Sequence, residues 1–300
     1  MAAVISHIFS SSAILTLGLY HLISTTRNHL KSPTSYSAKP YHPFNLLPSS
    51  PRLKYLQLYL LIFSLLLAFA HQTFISFESD PLLKGSTPVH KFTSYQSAAV
   101  ILLFLILSTS LLVSETTTFL PLPNDLFFTF ASAVFYLEYS VSSSSASVQT
   151  SDLQAKCDHV SAKVSALSSL LCLLLALNPK NFVADVGLGA SLCLQGLWVL
   201  QTGLSLYVEA FIPEGCHRML DVVKGVEGST KCDLEDSRLR AVAILDLVFV
   251  IHVMFVVVIV MATYAFVAKS VGIKRVGSYE ALSSCEPNHF QMKALEGTQA

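Results

Sequence analysis

The chain of 300 residues carries 19 basic and 19 acidic residues, so its formal net charge at neutral pH is zero. Apolar residues make up 52% of the chain, charged residues only 13%, and the mean hydropathy is +0.57, whereas a soluble domain has about 25% charged residues. The balanced charge argues against a nucleic-acid-binding protein, which carries a basic patch or stripe, and no stretch of ordinary globular composition is long enough for a separate soluble domain.

Seven long apolar runs follow one another along the chain, separated by short polar gaps. A helix needs about 18 or more apolar residues to cross a hydrocarbon core of roughly 30 Å, and continuous runs in lipid must be helical because their backbone groups need internal hydrogen bonds. We predict seven transmembrane helices, over residues 4–23, 56–75, 95–113, 126–141, 160–177, 184–211 and 241–267. The expected fold is an all-α membrane protein, a seven-transmembrane helix bundle over residues 1–268, with a flexible C-terminal tail over 269–300.

Two of these runs have features of their own. The first has the length of a signal peptide, but it lacks a basic segment before it and a small-residue cleavage site after it, so we expect it to remain as a helix. The fourth run is the shortest and contains a carboxylate, Glu138. It ends at a serine-rich stretch, 142–147, for which we predict a flexible connector.

Basic residues cluster after the first helix (Arg27, Lys31, Lys39, Arg52, Lys54) and in the tail (Lys269, Lys274, Arg275, Lys293). The positive-inside rule assigns both segments to the cytoplasm, although the loop 213–240 also carries five basic residues. We therefore expect an exoplasmic N-terminus and a cytoplasmic C-terminus, in the plasma membrane or the endomembrane system. Cys216 and Cys232 would then share an exoplasmic loop, where they either form a disulfide or stay unpaired.

Ionisable residues at membrane depth are functional candidates by default. Three histidines, His7, His21 and His71, lie near helix ends, and we interpret them as interfacial. His7 and His21 share a helix face but stand roughly 21 Å apart along the axis, so they cannot bind one metal ion together.

The sixth predicted helix has a polar stripe, formed by Ser191, Gln195, Trp198, Thr202, Ser205 and Glu209. At about 100° per residue these side chains fall within an arc of roughly 80°. The stripe either packs the helix against its neighbours or lines a polar cavity. Glycines on the same helix, Gly187, Gly189, Gly196 and Gly203, allow close approach of another helix.

Three further polar residues lie in other predicted helices. Glu138 is either interfacial or a buried, paired carboxyl group. Asp246 and His252 in the last helix point some 120° apart, so each needs a partner from another helix.

Signatures of soluble enzymes are absent from the sequence. We find no nucleophile elbow, phosphate-binding loop, dinucleotide glycine cluster or His-Glu-x-x-His motif, and no Cys or His pair at structural-zinc spacing. We therefore predict no catalytic residue and no cofactor, and leave the binding of a metal open.

Two motifs carry a resemblance to a known family. Residues 18–21 read Gly-Leu-Tyr-His, and residues 195–203 read Gln-Gly-Leu-Trp-Val-Leu-Gln-Thr-Gly. The chain resembles the transmembrane protein 45 family, which typically has Gly-Leu-Trp-His in the first helix and Gln-Gly-x-Trp-x-x-Gln-x-Gly in the sixth. Its members share a domain of unknown function, and the resemblance implies a multi-pass, seven-helix protein of the secretory and endosomal membranes or the plasma membrane.

The resemblance also marks individual residues. It places Gln201 in the sixth-helix motif, and His7, Glu138 and His252 at positions where the family has a histidine or a carboxylate. The chain departs from the family at Ser6, where a glycine is usual, and after Glu138, where a histidine-rich segment is reduced to a tyrosine and serines. These departures weaken any metal site inferred from the family.

We favour a non-enzymatic membrane protein that acts in trafficking, assembly, or stress and defence signalling. The alternative is a transporter or channel for a proton, metal ion or small solute, using Glu138, Asp246 and His252. A second alternative is a metal-dependent intramembrane hydrolase with ligands among His7, Glu138, His159 and His252. The expected partners are the lipid bilayer and other membrane proteins or a second copy of the chain.

Overall fold

In a computed structural model the chain forms a bundle of long helices and one β-hairpin. The structure describes residues 2–43, 53–77, 89–149, 151–221 and 226–272. The helices are α1 (Ala2–Lys31), α2 (Leu56–Phe77), α3 (Val89–Thr116), α4 (Asn124–Val148), α5 (Asp152–Leu177), α6 (Phe182–Tyr207) and α7 (Glu235–Val271). Short 3₁₀ turns lie at Leu53–Tyr55 and Glu209–Phe211, and the hairpin strands are β1 (Cys216–Asp221) and β2 (Val226–Cys232).

Helix α6 lies at the centre of the bundle, between α1 on one side and α5 on the other. Helix α4 packs along α5, α2 pairs with α3, and α7 covers α1, α5 and α6 from outside. Half of the most apolar part of α6 is buried inside the chain, against 6% for α2 and 11% for α7. The core is therefore built on α6, and α2 and α7 turn most of their apolar surface outward.

Glycines allow α1 and α6 to approach more closely than side chains would permit. A Cβ atom placed on Gly196 would lie 2.8 Å from the backbone nitrogen of Leu15, and one on Gly203 would lie 2.6 Å from Cβ of His7. Gly18 of α1 meets the backbone of α6 in the same way, at 2.8 Å from the nitrogen of Cys193. Small residues at such interfaces are the usual means of close helix packing in membranes.

The two ends of α6 are covered by different segments. The segment after α1 folds over the start of α6, where the Ala38 amide donates to the carbonyl of Pro179 at 2.7 Å. The hairpin covers the far end, where Thr230 Oγ1 donates to the carbonyl of Leu206 at 3.0 Å. Asp185 and Leu206 stand about 32 Å apart along the axis at 1.5 Å per residue, close to the thickness of a hydrocarbon core of about 30 Å.

The described chain is all-α apart from the hairpin, and six of its seven long helices have the length and hydropathy of membrane spans. These six are all except α4. The chain is thus a multi-pass membrane protein by composition and helix length. Helix α4, which corresponds to the predicted span 126–141, is 25 residues long, and its second half contains the serine-rich stretch.

Several predicted boundaries were wrong. Residues 142–147 are helical, not a connector, because they continue α4 to Val148. Helix α5 begins at Asp152, capped by the Ser151 hydroxyl, so Cys157 is a buried helical residue. A prediction from apolar runs ends each helix where the run ends. It therefore misses polar helix ends such as these, which pack against other parts of the protein.

The last two helices also differ from the prediction. Helix α6 ends at Tyr207, not at 211, and α7 begins at Glu235, within the predicted loop. It continues to Val271, so residues 269–271 of the predicted tail are helical, and the remainder of the tail, 273–300, lies outside the described residues.

The β-hairpin between α6 and α7 has no counterpart in the prediction. Its strands pair antiparallel, with Cys216 opposite Cys232, and these two cysteines form a disulfide. Ser151, just before α5, donates its hydroxyl to the carbonyl of Thr230. The hairpin is therefore fixed to α5 and α6 by hydrogen bonds and closed by a covalent bond at its base.

Candidate functional site

Asp185 is the most completely buried charged residue of the described chain, with no exposed surface. Its carboxylate accepts hydrogen bonds from His21 Nε2 at 2.7 Å and from Thr25 Oγ1 at 3.3 Å, both on α1. The hydroxyl of Tyr36, in the segment after α1, donates to the second carboxylate oxygen. We call these four residues the Asp185 cluster.

The position of Asp185 in the chain favours its charge. Asn181 caps α6, accepting from the amide of Ala184 at 3.1 Å, and Asp185 follows in the first helical turn. The free amides and the dipole at a helix N-terminus stabilise a negative charge there. Three donors and this field together compensate for the removal of the carboxylate from water.

Tyr36 and His42 bring the segment after α1 onto the cluster. Burial raises the pKa of Tyr36 above its usual range, and the charge of Asp185 and its hydrogen bond to Tyr36 add to that shift. Burial lowers the pKa of His42 to about 4, with the nearby His21 acting in the same direction and Asp185 in the opposite one. Both side chains are therefore neutral at pH 7.

His42 is held in place by α1. Asn28 Nδ2 donates to His42 Nδ1 at 3.1 Å, and the Tyr20 hydroxyl donates to the His42 carbonyl at 2.8 Å. The other ring nitrogen of His42, Nε2, is buried and has no hydrogen-bond partner within the described residues. The whole arrangement connects α1, α6 and the intervening segment at one end of the bundle.

Part of the polar stripe on α6 bonds to α5. Gln195 Nε2 donates to Ser161 Oγ at 2.7 Å, and Ser168 Oγ donates to Ser191 Oγ at 2.9 Å. Gln201 Nε2 instead donates to Ser205 Oγ, one turn along α6, at 2.8 Å. These contacts favour the packing interpretation of the polar stripe.

Trp198 has no exposed surface and forms the centre of a second cluster, at the hairpin end of α5, α6 and α7. Its Nε1 donates to the carbonyl of Cys157 at 3.0 Å. The rings of Phe249 and His252 on α7 lie edge-on to it, at 5.5 and 6.2 Å between centroids. Trp198 thus joins three helices by one hydrogen bond and two aromatic contacts.

Asp246 and His252 both have bonding partners, one on another helix and one on the same helix. Asp246 Oδ1 lies 2.6 Å from Lys156 Nζ on α5, an ion pair between two helices. His252 Nδ1 donates to the carbonyl of Val248 in its own helix at 2.7 Å. The side chain of Glu138 forms a hydrogen bond with Ser142, one turn further along α4. It also lies close enough to Asp158 on α5 for the two carboxyl groups to interact electrostatically.

The predicted interfacial histidines have different environments. His21 is buried in the Asp185 cluster at one end of the bundle, where it bonds to α6, and its place at the membrane interface stays a prediction. The ring of His7 lies tilted against that of Tyr207, with centroids 5.7 Å apart, and His71 Nδ1 lies 3.3 Å from Ser6 Oγ. Glu209 lies on the exposed 3₁₀ turn after α6, outside the helix that the sequence assigned to it.

The metal-ligand set of the hydrolase alternative is not assembled. Among the described residues, no three His, Cys, Asp or Glu side chains lie close enough to hold a metal ion. Glu138 on α4, His252 on α7 and His7 on α1 each bond within different parts of the bundle. The residues named for zinc therefore do not fit that role in this structure.

Comparison with known families adds one finding. Residues 124–265 match a family of unknown function (DUF716). This is the family of the transmembrane protein 45 proteins, and the match extends from α4 into α7, including the sixth-helix motif but not the motif in α1. Neither a curated protein nor a solved structure matches the chain. The similarity supports a multi-pass membrane protein but does not identify a chemical reaction.

The sequence analysis did not select Asp185 or Tyr36. Asp185 had a detectable signal, since it is a lone acid one turn inside an apolar helix that starts with an asparagine cap. Tyr36 had none, because its role depends on how residues 32–43 fold over the bundle.

Proposed function

We propose that this chain is a seven-span member of the transmembrane protein 45 family that acts without catalysis. In this proposal it associates with other membrane proteins or a second copy of itself in trafficking, assembly, or stress and defence signalling. The observation that carries the proposal is that the polar side chains of the core bond to neighbouring helices: His21 to Asp185, Gln195 to Ser161, and Trp198 to Cys157. Such contacts stabilise helix association by about 0.6–2 kcal/mol each.

The outer helices supply surfaces for association. Helix α7 exposes large apolar side chains along most of its length, among them Met254 at 64% and Phe255 at 54%. Helix α2 does the same with Phe63 and Phe74. In a bilayer these faces meet lipid or the helices of another protein, which is the surface that a membrane assembly factor needs.

Site-specific photocrosslinking in native membranes tests the proposal. A photoreactive residue at Met254 is expected to give discrete protein adducts, whereas one at the buried Leu175 is expected to give none beyond the chain itself. Adducts only with lipid at Met254 would contradict the proposal. Flux of protons, metal ions or small solutes above that of empty liposomes, after reconstitution, would contradict it independently.

Packing supports seven crossings, including α4. Phe128, near the start of α4, shares a cluster with Ala38 and Ala184 at the end of the bundle where α6 begins. Ser151, just after α4, bonds to the hairpin at the opposite end. Helix α4 therefore extends between the same two ends as α6, and its length of about 37 Å is enough to cross the core.

Two features at opposite ends of the bundle support the proposed orientation. Disulfides persist in exoplasmic compartments, and the Cys216–Cys232 disulfide lies at the hairpin end of the bundle. The basic segment after α1 lies at the opposite end, where the positive-inside rule expects the cytoplasm. We infer an exoplasmic N-terminus and a cytoplasmic C-terminus, in the plasma membrane or the endomembrane system.

A further inference from the structure

An open groove of about 370 Å³ lies at the hairpin end of the bundle, between α4, α5 and α7. Its floor is one face of α5, with Lys156 and His159, and one wall is α7, with Arg238 and Val242. The other wall is the serine-rich end of α4, whose side chains are small. The serine-rich stretch thus leaves space beside α5 that larger residues would fill.

The face of α5 that forms the floor continues down the helix as a stripe of two chemical characters. Asp152, Lys156, His159 and Lys163 come first, and Leu167, Leu170 and Leu174 follow. At about 100° per residue all seven lie within an arc of roughly 80°. All are exposed except Lys156, which is partly buried.

The upper part of this stripe is basic, and two of its basic side chains are not in ion pairs. Lys156 pairs with Asp246, and Arg238 pairs with Glu235 and Asp152. His159 and Lys163 have no ion-pair partner within the described part of the chain. Lys163 lies one turn inside the apolar run that starts at residue 160, where an unpaired cation is costly unless it reaches an anion or water.

The lower part of the stripe is about as long as the hydrocarbon part of one lipid leaflet is thick. Lys163 and Leu174 stand about 16 Å apart along the helix, close to half of a hydrocarbon core of about 30 Å. The three leucines expose 45%, 53% and 39% of their surface, so they present a continuous apolar strip directly below the basic residues.

We propose that this stripe binds a phospholipid, with its phosphate at Lys163 and His159 and an acyl chain along Leu167, Leu170 and Leu174. The charge and the apolar strip follow each other in the order that a phospholipid requires in a bilayer. The two unpaired basic residues distinguish this face from the outer face of α2, whose exposed side chains between Leu56 and Phe74 carry no charge.

Native mass spectrometry of the full chain in mild detergent, titrated with phosphatidylglycerol, tests the proposal. We expect the variant carrying His159→Gln and Lys163→Gln to bind the first lipid about fivefold more weakly or worse, the effect of at least one basic residue at an anionic surface. Lys180→Gln is the matched control, since it removes an exposed positive charge at the opposite end of α5, and it should bind as the unchanged chain does.

Two further arms complete the test. Lys163→Arg keeps the charge and should keep the binding, which separates loss of the site from loss of the fold. Glycerol 3-phosphate, which lacks acyl chains, should not displace the lipid at equal concentration. Equal lipid binding by the double variant and the Lys180→Gln control would overturn the proposal, as would displacement by glycerol 3-phosphate or loss of binding in Lys163→Arg.

Discussion

Replacement of Gly196 by alanine should weaken the contact between α1 and α6. The added Cβ would lie 2.8 Å from the backbone nitrogen of Leu15 and 3.1 Å from its Cα. Backbone atoms cannot rotate away, so α1 has to move as a unit. Gly187→Ala is a matched control on the same helix, because its Cβ would meet Leu171 Cδ2 at 3.1 Å, the end of a flexible side chain.

The magnitude follows from two opposing effects. Overpacking that shifts backbone costs about 1–3 kcal/mol, while alanine is favoured over glycine in a helix by about 1 kcal/mol. The difference leaves Gly196→Ala destabilising by up to about 2 kcal/mol, and we expect Gly187→Ala to be neutral or slightly stabilising. For a chain of this size a loss of about 2 kcal/mol lowers the unfolding midpoint by roughly 4–8 °C.

Trp198 provides the assay. It is the single tryptophan of the chain and is fully buried beside α5 and α7, so its fluorescence reports loosening of the core. Thermal unfolding in mild detergent gives the midpoint for both variants and the unchanged chain. If Gly196→Ala unfolds at the same temperature as Gly187→Ala, or higher, α1 and α6 are not in backbone contact at this position.

Three other predictions use the same measurement. Asp185→Ala should lower the free energy of unfolding by about 3–5 kcal/mol, because it leaves His21 without its buried partner. Tyr36→Phe removes only one hydrogen bond to a charged group and should lower the free energy of unfolding by about 1.5–3 kcal/mol. Equal losses in the two variants would contradict the central place of Asp185 in the cluster. The pKa of His42 is about 4 in the folded chain and 6.5 in the unfolded chain, so between these values the unfolded chain binds the extra proton. The free energy of unfolding should therefore fall by up to about 3 kcal/mol as the pH drops from 6.5 to 4. His42→Gln should show a smaller fall between pH 7 and pH 5, and an unchanged fall would refute a buried, neutral His42. Reduction of the Cys216–Cys232 disulfide should lower the midpoint, since closing a loop of this size contributes about 3 kcal/mol; a midpoint insensitive to reductant would contradict a disulfide in the folded protein.

The helices could be predicted because lipid imposes a simple rule on sequence. Each apolar run had to be a helix, and the structure has a helix at all seven places. Their polar ends could not be predicted in this way. Residues 142–147 and 152–159 are helical because α4 and α5 pack on each other and the start of α5 packs on the hairpin, contacts that hydropathy along the chain does not register.

The candidate site was only partly predictable. Glycine spacing indicated a close contact of α6, and the structure identifies α1 as the partner. The Asp185 cluster depends on residues from α1, α6 and the segment between α1 and α2, which lie far apart in the sequence. Helix periodicity shows which side chains share a face, but not which helix that face meets.

The central claim is that seven helices cross the membrane, with the hairpin outside. Labelling of introduced cysteines with a membrane-impermeant maleimide on intact cells tests it most directly, in a Cys285→Ser background. Phe119→Cys precedes α4 and Val148→Cys ends it, and both positions are exposed. The account predicts labelling of Val148→Cys on intact cells and of Phe119→Cys only after permeabilisation. Labelling of both from the same side would show that α4 does not cross, and would contradict the account.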